Sequence, residues 1–373
     1  MKYCLAFGLL VIFLITACNK HTVIEKTPKN LEVYGHWVTE LNGQVMLDPQ
    51  PSGLKSWRGG LLTLSDRSAV ASQRLKLRKI STETAKLNGP DMRMSLSTEL
   101  TQSCFAEYIS NNPDLEALAV DPDDDKVFYI VTEDATHAQP MSESCQHKYL
   151  KTGSTNYPTL LIRLELQSEN SVFMTHVRPI QFTSEMHIGD FPNDGIEALT
   201  FGKNRTLYLG IEKDQNKHAR IFSLQLNKEF WFSDDFAKVS EVMLKLPKFE
   251  KGNHPINGMD YYQPATGGEF LLAAARNDES LWVVDLAGEK ETLVLPMTFY
   301  AEIKNGSERC EDFEKMDNSS IEGVAVEGDT LWLINDPWKA VYLNNIRCTE
   351  NRDNFQKFAP LLFSVPIQPS WFE

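Results

Sequence analysis

The chain has 373 residues, 42% of them apolar and 24% charged, enough for a large core and ordinary for a globular protein. The formal net charge is −14 and there is no run of basic residues, which excludes nucleic acid as a partner, because phosphate contacts need clustered Lys and Arg. No P-loop, dinucleotide fingerprint or G-x-S-x-G nucleophile elbow is present.

The chain opens with Lys2 and an apolar stretch at 5–15, too short to span a bilayer comfortably. The stretch ends in Ile15-Thr16-Ala17-Cys18, which looks like a bacterial lipobox. That reading predicts a signal peptide at 1–17, cleavage before Cys18, and lipid on Cys18. Each buried acyl methylene contributes about 0.8 kcal/mol to membrane attachment. Asn19 follows in place of Asp, which resembles the outer-membrane sorting pattern of Gram-negative cells. The expected location is therefore the cell envelope, on the outer membrane facing the periplasm. Residues 18–30 are polar and read as a flexible lipidated tether, and 31–373 as a single domain.

From residue 31 onward, short β-branched and aromatic runs alternate with Gly, Pro, Asn and Asp clusters, the mark of strands and turns. A degenerate hairpin recurs five times, at 51–67, 114–134, 195–214, 255–278 and 320–337. A third apolar run follows every copy, at 73–80, 159–166, 220–226, 280–286 and 361–367. A fourth run follows four copies, at 92–100, 172–180, 239–246 and 291–299. The last copy lacks one, and 31–41 is expected to supply it from the N-terminus. Four-stranded units repeated radially make an all-β propeller, here of five blades, closed by the N-terminal strand pairing in the last blade. The long polar linkers at 135–158 and 300–319 leave room for a sixth blade; they read as surface loops able to act as lids over one face.

Setting aside Cys4 and Cys18 leaves Cys104, Cys145, Cys310 and Cys348. In an oxidising compartment these make two disulfides, with three connectivities open. Cys104–Cys145 and Cys310–Cys348 are favoured, because each pair flanks one repeat hairpin; the spacing does not suit zinc.

Aligning the first strands of the hairpins gives a column of Ser52, Glu116, Glu197, Asn257 and Glu322. The ends of the second strands give Asp66, Glu133, Glu212, Asn277 and Asp336. In an antiparallel pair the start of one strand lies beside the end of the next, so both columns fall on one face of the disc. Seven carboxylates are then expected around one mouth. Like charges at ~4 Å repel by about 4 kcal/mol at an effective dielectric near 20. Such a cluster takes up protons, recruits Arg or Lys, or binds a cation. Oxygen ligands without His or Cys favour Ca2+. Arg67, Lys213 and Arg276 adjoin the second column and are suited to pair with the acids or hold an anionic small molecule. His187 and His254 precede the first strands of copies three and four and read as surface loop histidines, with a role as general bases at the mouth as the alternative. The acidic run at 121–125 reads as a solvated turn on the opposite face, and Trp282 and Trp332 as packing within the blades.

The pieces PSGL…LSDR, IEAL…YLGIEKD and SIEGVAV…LWLINDP resemble the β-propeller domain called "esterase-like activity of phytase", and are similar to the SdiA-regulated propeller proteins. The resemblance covers most of residues 45–367. It implies ester or phosphoester hydrolysis. By analogy with related six-bladed lactonases, it also implies a central Ca2+ held by Glu116, Glu197, Asn257 and Glu322. The expected division of labour is that metal set, with Glu133 or Glu212 as proton acceptor and Arg67 or Arg276 holding the anion of an ester, phosphoester or lactone. The alternative is a non-enzymatic lipoprotein presenting a propeller face to an envelope protein or glycan.

Overall fold

The structure, a computed structural model, describes residues 30–149, 154–304, 310 and 312–373; the expected signal peptide, Cys18 and the expected tether up to residue 29 lie outside them. No helix among the described residues is long and apolar enough to cross a membrane.

The repeats fold as five antiparallel units. Blade 1 is Pro51–Ser56, Leu61–Ser65, Lys76–Ile80 and Met92–Leu96. Blade 2 is Leu115–Val120, Val127–Thr132, Leu160–Ser168 and Ser171–Gln181. Blade 3 is Ile196–Phe201, Thr206–Ile211, Arg220–Gln225 and the two-residue Ser240–Glu241. Blade 4 is Gly258–Tyr262, Phe270–Ala275, Ser280–Asp285 and Leu293–Glu302. Blade 5 is Ile321–Glu327, Thr330–Asn335, Leu361–Pro366 and the N-terminal Leu31–Trp37. The last strand pairs antiparallel, Tyr34 against Ser364 and Trp37 against Leu361, which is the closure expected from the sequence. It also runs parallel to the outer strand of blade 4, Leu31 against Met297, so it bridges two blades.

The first strand of each blade is innermost. Blade 1 packs on blade 2, blade 2 on blade 3, and so on through blade 5 back to blade 1, so the five inner strands close a ring. Each inner strand carries a polar residue, then a small one, then a larger apolar one. The small positions are Gly53, Ala117, Ala198, Gly258 and Gly323. Their size lets five strands approach the axis closely: a Cβ on Gly258 would overlap the Glu322 carbonyl oxygen, and one on Gly53 would come within 3.1 Å of the Leu118 backbone nitrogen. Outside this ring, the apolar strand faces pack blade against blade, with Trp37, Phe299 and Phe363 among the side chains between blades 4 and 5. Trp282 is fully buried between blades 3 and 4, and Trp332 packs between blades 5 and 1, as expected of packing residues.

Both favoured disulfides are present, with Cα–Cα separations of 5.6 Å for Cys104–Cys145 and 6.1 Å for Cys310–Cys348. Three expectations need correction. The segment 135–158 is less a free surface loop than part of the core: Met141, Tyr149 and Tyr157 are buried with Phe105 and Tyr108, because one disulfide holds the segment against blades 1 and 2. Within 300–319, residues up to Glu302 extend the blade 4 strand and Phe313–Lys315 pairs back on it. The fourth run of blade 3 forms only short pairings, Ala237–Lys238 with blade 2 and Ser240–Glu241 with blade 3. Beyond them the chain turns toward blade 4, where Thr292 donates to the Lys245 carbonyl.

Candidate functional site

The mouth is built from irregularities in the strands. Four inner hairpins slip register at one residue, between Pro51 and Gly53, Leu115 and Ala117, Ile196 and Ala198, and Ile321 and Gly323. The slipped residues are Ser52, Glu116, Glu197 and Glu322. A bulge of this kind re-aims a side chain, and the four bulged residues are the four polar members of the column in blades 1, 2, 3 and 5. In blade 4, Asn257 stands just before the paired Gly258, and its N–H donates to the Ala274 carbonyl at 3.0 Å.

The bulges converge the acids. Carboxylate oxygens of Glu116, Glu197 and Glu322, from blades 2, 3 and 5, lie within 4.8 Å of one another. Two further trios share members with this one: Asp114, Glu116 and Glu133, and Glu133, Glu197 and Glu212. Asp114 escaped the sequence reading, although it opens the second hairpin two residues before Glu116. Burial, reinforced by neighbouring carboxylates, holds Asp66, Asp114, Glu116, Glu133, Glu197 and Asp336 above their ordinary range. Glu197 is pushed up to about 8 by burial and by Glu212, and Asp66 up to about 7 by burial and by Asp114. Glu116, Glu133 and Asp336 are raised by burial first and by neighbouring carboxylates second.

The second column differs from its expected form in blade 4. Backbone pairing puts Asp66, Glu133, Glu212 and Asp336 immediately after the residue opposite the bulge, with N–H groups donating to Gln50, Asp114, Gly195 and Ser320 carbonyls. Counting the same way from the Gly258–Ala274 pair reaches Arg276, not Asn277. Asn277 is exposed and donates to the Asn253 carbonyl. Arg276 instead turns to the ring and forms an ion pair with Glu322. Hairpin loops of unequal length hide this offset in the sequence.

The other site residues have identifiable neighbours. Glu133 accepts from the Gly195 N–H at 2.9 Å. Glu212 pairs with Lys213 at 2.9 Å and accepts weakly from Asn253 at 3.4 Å. Arg67 is engaged by both Asp114 and Asp134 at 3.2 Å, on the blade 1–blade 2 side. His187 pairs with Asp190 at 3.0 Å. His254 is held by Asp278 at 2.7 Å and stacks on Phe249. Both histidines thus pair with aspartates outside the two columns. The acidic turn at 121–125 is committed to ion pairs, Asp121 with Arg205 and Asp125 with Arg58, both at 2.6 Å.

The ring also contains polar atoms without partners. Asn257 is wholly buried, and neither its amide oxygen nor its amide nitrogen has a hydrogen-bond partner among the described residues. The same holds for the hydroxyls of Ser52 and Ser320 and for Asp336 Oδ1. Buried polar groups are nearly always satisfied, so this cluster marks a place where a ligand, ion or water completes the structure. An all-oxygen set of three converging carboxylates and a neutral amide fits a hard cation such as Ca2+.

No family model matches the chain, and no curated protein matches it. Among solved structures, it is similar to the aldose sugar dehydrogenase of Streptomyces coelicolor in its PQQ-bound form, at 12% identity over 88% of this chain and 96% of that one, with a TM-score of 0.39. It is similar also to the major allergen Mala s 1 of Malassezia sympodialis, at 12% identity over 87% and 80% of the two chains, TM-score 0.41. The GH74 enzyme of Niastella koreensis matches at 13% identity over 80% and 34%, TM-score 0.38. The likeness is one of chain path and brings no chemistry to the mouth.

Proposed function

We propose that this protein is an envelope lipoprotein whose propeller mouth binds Ca2+ and hydrolyses an ester, phosphoester or lactone. The observation that carries the reading is the convergence of Glu116, Glu197 and Glu322 within 4.8 Å, in the same ring of inner strands as the unpartnered Asn257. These four side chains would hold the ion, which when bound supplies Lewis-acid polarisation of a carbonyl or phosphoryl oxygen. Glu133 and Glu212 stand next to that set and are suited to accept a proton from water. Of the two arginines, Arg276 pairs with a member of the central trio, whereas Arg67 is engaged by two aspartates on the blade 1–blade 2 side, so Arg276 is the better anion holder.

Anchoring through Cys18 has a geometric consequence. The strand Leu31–Trp37 enters at the end of blade 5 away from the mouth and reaches the mouth end at Trp37, opposite Leu361. A tether attached there would leave the disc on the face opposite the mouth. Exposed Phe191 and Trp338 follow this same mouth-side geometry, in the loops entering blade 3 and leaving the second strand of blade 5. They favour the second reading, a binding face for an envelope protein or glycan, should the chain prove inert.

The deciding experiment is metal analysis of the purified protein joined to an assay on aryl esters, aryl phosphates and lactones. Activity should vanish with EGTA and with Glu197→Gln; activity surviving both removes the metal mechanism. Inertness across the panel with capture of a defined partner supports the binding reading. Cys18→Ser should release the protein from membranes, and retention would count against the anchor.

A further inference from the structure

Two positive charges have a claim on one carboxylate. Arg276 is ion-paired with Glu322, and the two side chains are 25% and 5% exposed. Glu322 is also a member of the trio that fits a cation. Around this pair the polar groups change character. Blades 2 and 3 contribute Asp114, Glu116, Glu133, Glu197 and Glu212, all acids. Blades 4, 5 and 1 contribute Asn257, Ser320 and Ser52, all buried and without partners among the described residues, alongside the acids Glu322, Asp336 and Asp66. The Ser320 carbonyl accepts the Asp336 N–H at 2.8 Å, which seats Ser320 across the hairpin from the second column and two residues before Glu322.

We propose that Arg276 is a latch. It holds Glu322 in the cation-free protein, yields that carboxylate to a divalent cation, and then, with Asn257 and Ser320, binds a tetrahedral oxyanion such as a phosphate monoester. The proposal rests on the cation reading above and narrows its ligand class. A guanidinium and a divalent cation repel each other across a shared carboxylate, so filling the cation site drives Arg276 off. Released from Glu322, the guanidinium still has Asp336 nearby, and its planar fork matches two oxygens of a charged phosphoryl group. The neighbouring hydroxyl and amide offer the remaining donors. A neutral ester or lactone supplies no such charge. Coupling of this kind is reciprocal: the anion tightens the cation by the factor with which the cation tightens the anion.

The test is calorimetric titration of the full-length protein with CaCl2, with and without phenylphosphonate, a phosphate monoester analogue that is not hydrolysed. For the wild type, saturating phenylphosphonate should lower the calcium Kd about tenfold, and phenylphosphonate should not bind in EGTA. Arg276→Gln should bind calcium alone several-fold tighter than the wild type, because the competitor is gone, and phenylphosphonate should no longer change that affinity. Should this variant not fold, Arg276→Lys keeps the charge, loses the fork, and is expected to retain less than a third of the coupling. If calcium fails to bind the wild type, the cation reading falls and the latch with it. If calcium binds and the folded Arg276 variant keeps wild-type affinity and wild-type phenylphosphonate dependence, the latch alone is overturned.

Discussion

Lys55 Nζ lies 2.8 Å from Asp260 Oδ1, and the two side chains are 8% and 13% exposed. The pair sits on the inner strands three residues beyond the polar column, about 10 Å along the axis. Lys55 also donates to the carbonyls of Met259 and Val324, and Asp260 accepts from the Thr200 hydroxyl and the Val326 N–H. The network ties the inner strands of blades 1, 3, 4 and 5 at the end of the axis opposite the carboxylates. Removing one partner leaves the other buried and uncompensated, which typically costs about 3–5 kcal/mol. Lys55→Met is expected to lose that much in urea unfolding. A loss below about 1 kcal/mol, the range of exposed pairs, would show that water already reaches the pair.

The carboxylate ring should behave oppositely with and without its ion. Calcium at a hundred times its Kd should stabilise the wild type by about 2.7 kcal/mol. Glu197→Gln should lose most of that gain. In EGTA, however, the same variant should melt at or above the wild type, because it replaces a buried carboxyl whose ionisation is opposed by burial and by Glu212. Melting curves of both proteins in calcium and in EGTA check the crossover; a variant less stable in both conditions would mean that the Glu197 carboxylate is held by partners other than a cation.

The small residues of the inner strands should not be equally replaceable. Gly258→Ala sets a methyl group against the Glu322 carbonyl oxygen, a backbone atom that cannot swing aside. Gly53→Ala meets Leu118 at 3.1–3.2 Å, which a few tenths of an ångström would relieve. Overpacking typically costs about 1–3 kcal/mol, and Gly258→Ala is expected at or beyond the upper end, Gly53→Ala near the lower. Parallel unfolding measurements giving equal losses would contradict the close approach of blades 4 and 5.

Asp194 gives the rim a pH dependence. Its carboxylate accepts from the N–H groups of Gly189 at 3.1 Å and Phe191 at 3.2 Å, closing the loop that leads into blade 3. Burial nevertheless outweighs these bonds and pushes it from 3.8 up to about 7. The folded state therefore holds the proton more tightly than the unfolded chain does. The stability this provides is full below the unfolded value and is lost as pH rises to about 7. Melting temperature should accordingly fall less steeply between pH 4 and 7 in Asp194→Asn than in the wild type. Equal slopes would mean that Asp194 ionises as freely as an exposed carboxylate.

Much of this architecture was legible beforehand. The recurrent hairpin with its polar column marked every inner strand, the missing outer strand of the last blade pointed to the N-terminus, and the cysteines paired across their hairpins. The errors have one physical origin. Register in a sheet is set by backbone hydrogen bonds, not by spacing along the chain, and hairpin loops of different length shift the second strand. Asn277 was aligned where Arg276 stands for that reason, and a column that looked uniformly acidic or neutral contains a cation. Asp114 was overlooked because it lies outside the strand it borders, yet closure of the second hairpin brings it to Glu116 and Glu133.

The sequence by itself determined the number of hairpins, their polar columns and the small residues between strands, because these follow from alternation within a few neighbouring residues. Only the tertiary structure decided which charges share a space: Arg276 with Glu322 at one end of the axis, Lys55 with Asp260 at the other. Those pairings join residues from different blades, and their distances exist only once the ring of inner strands has closed.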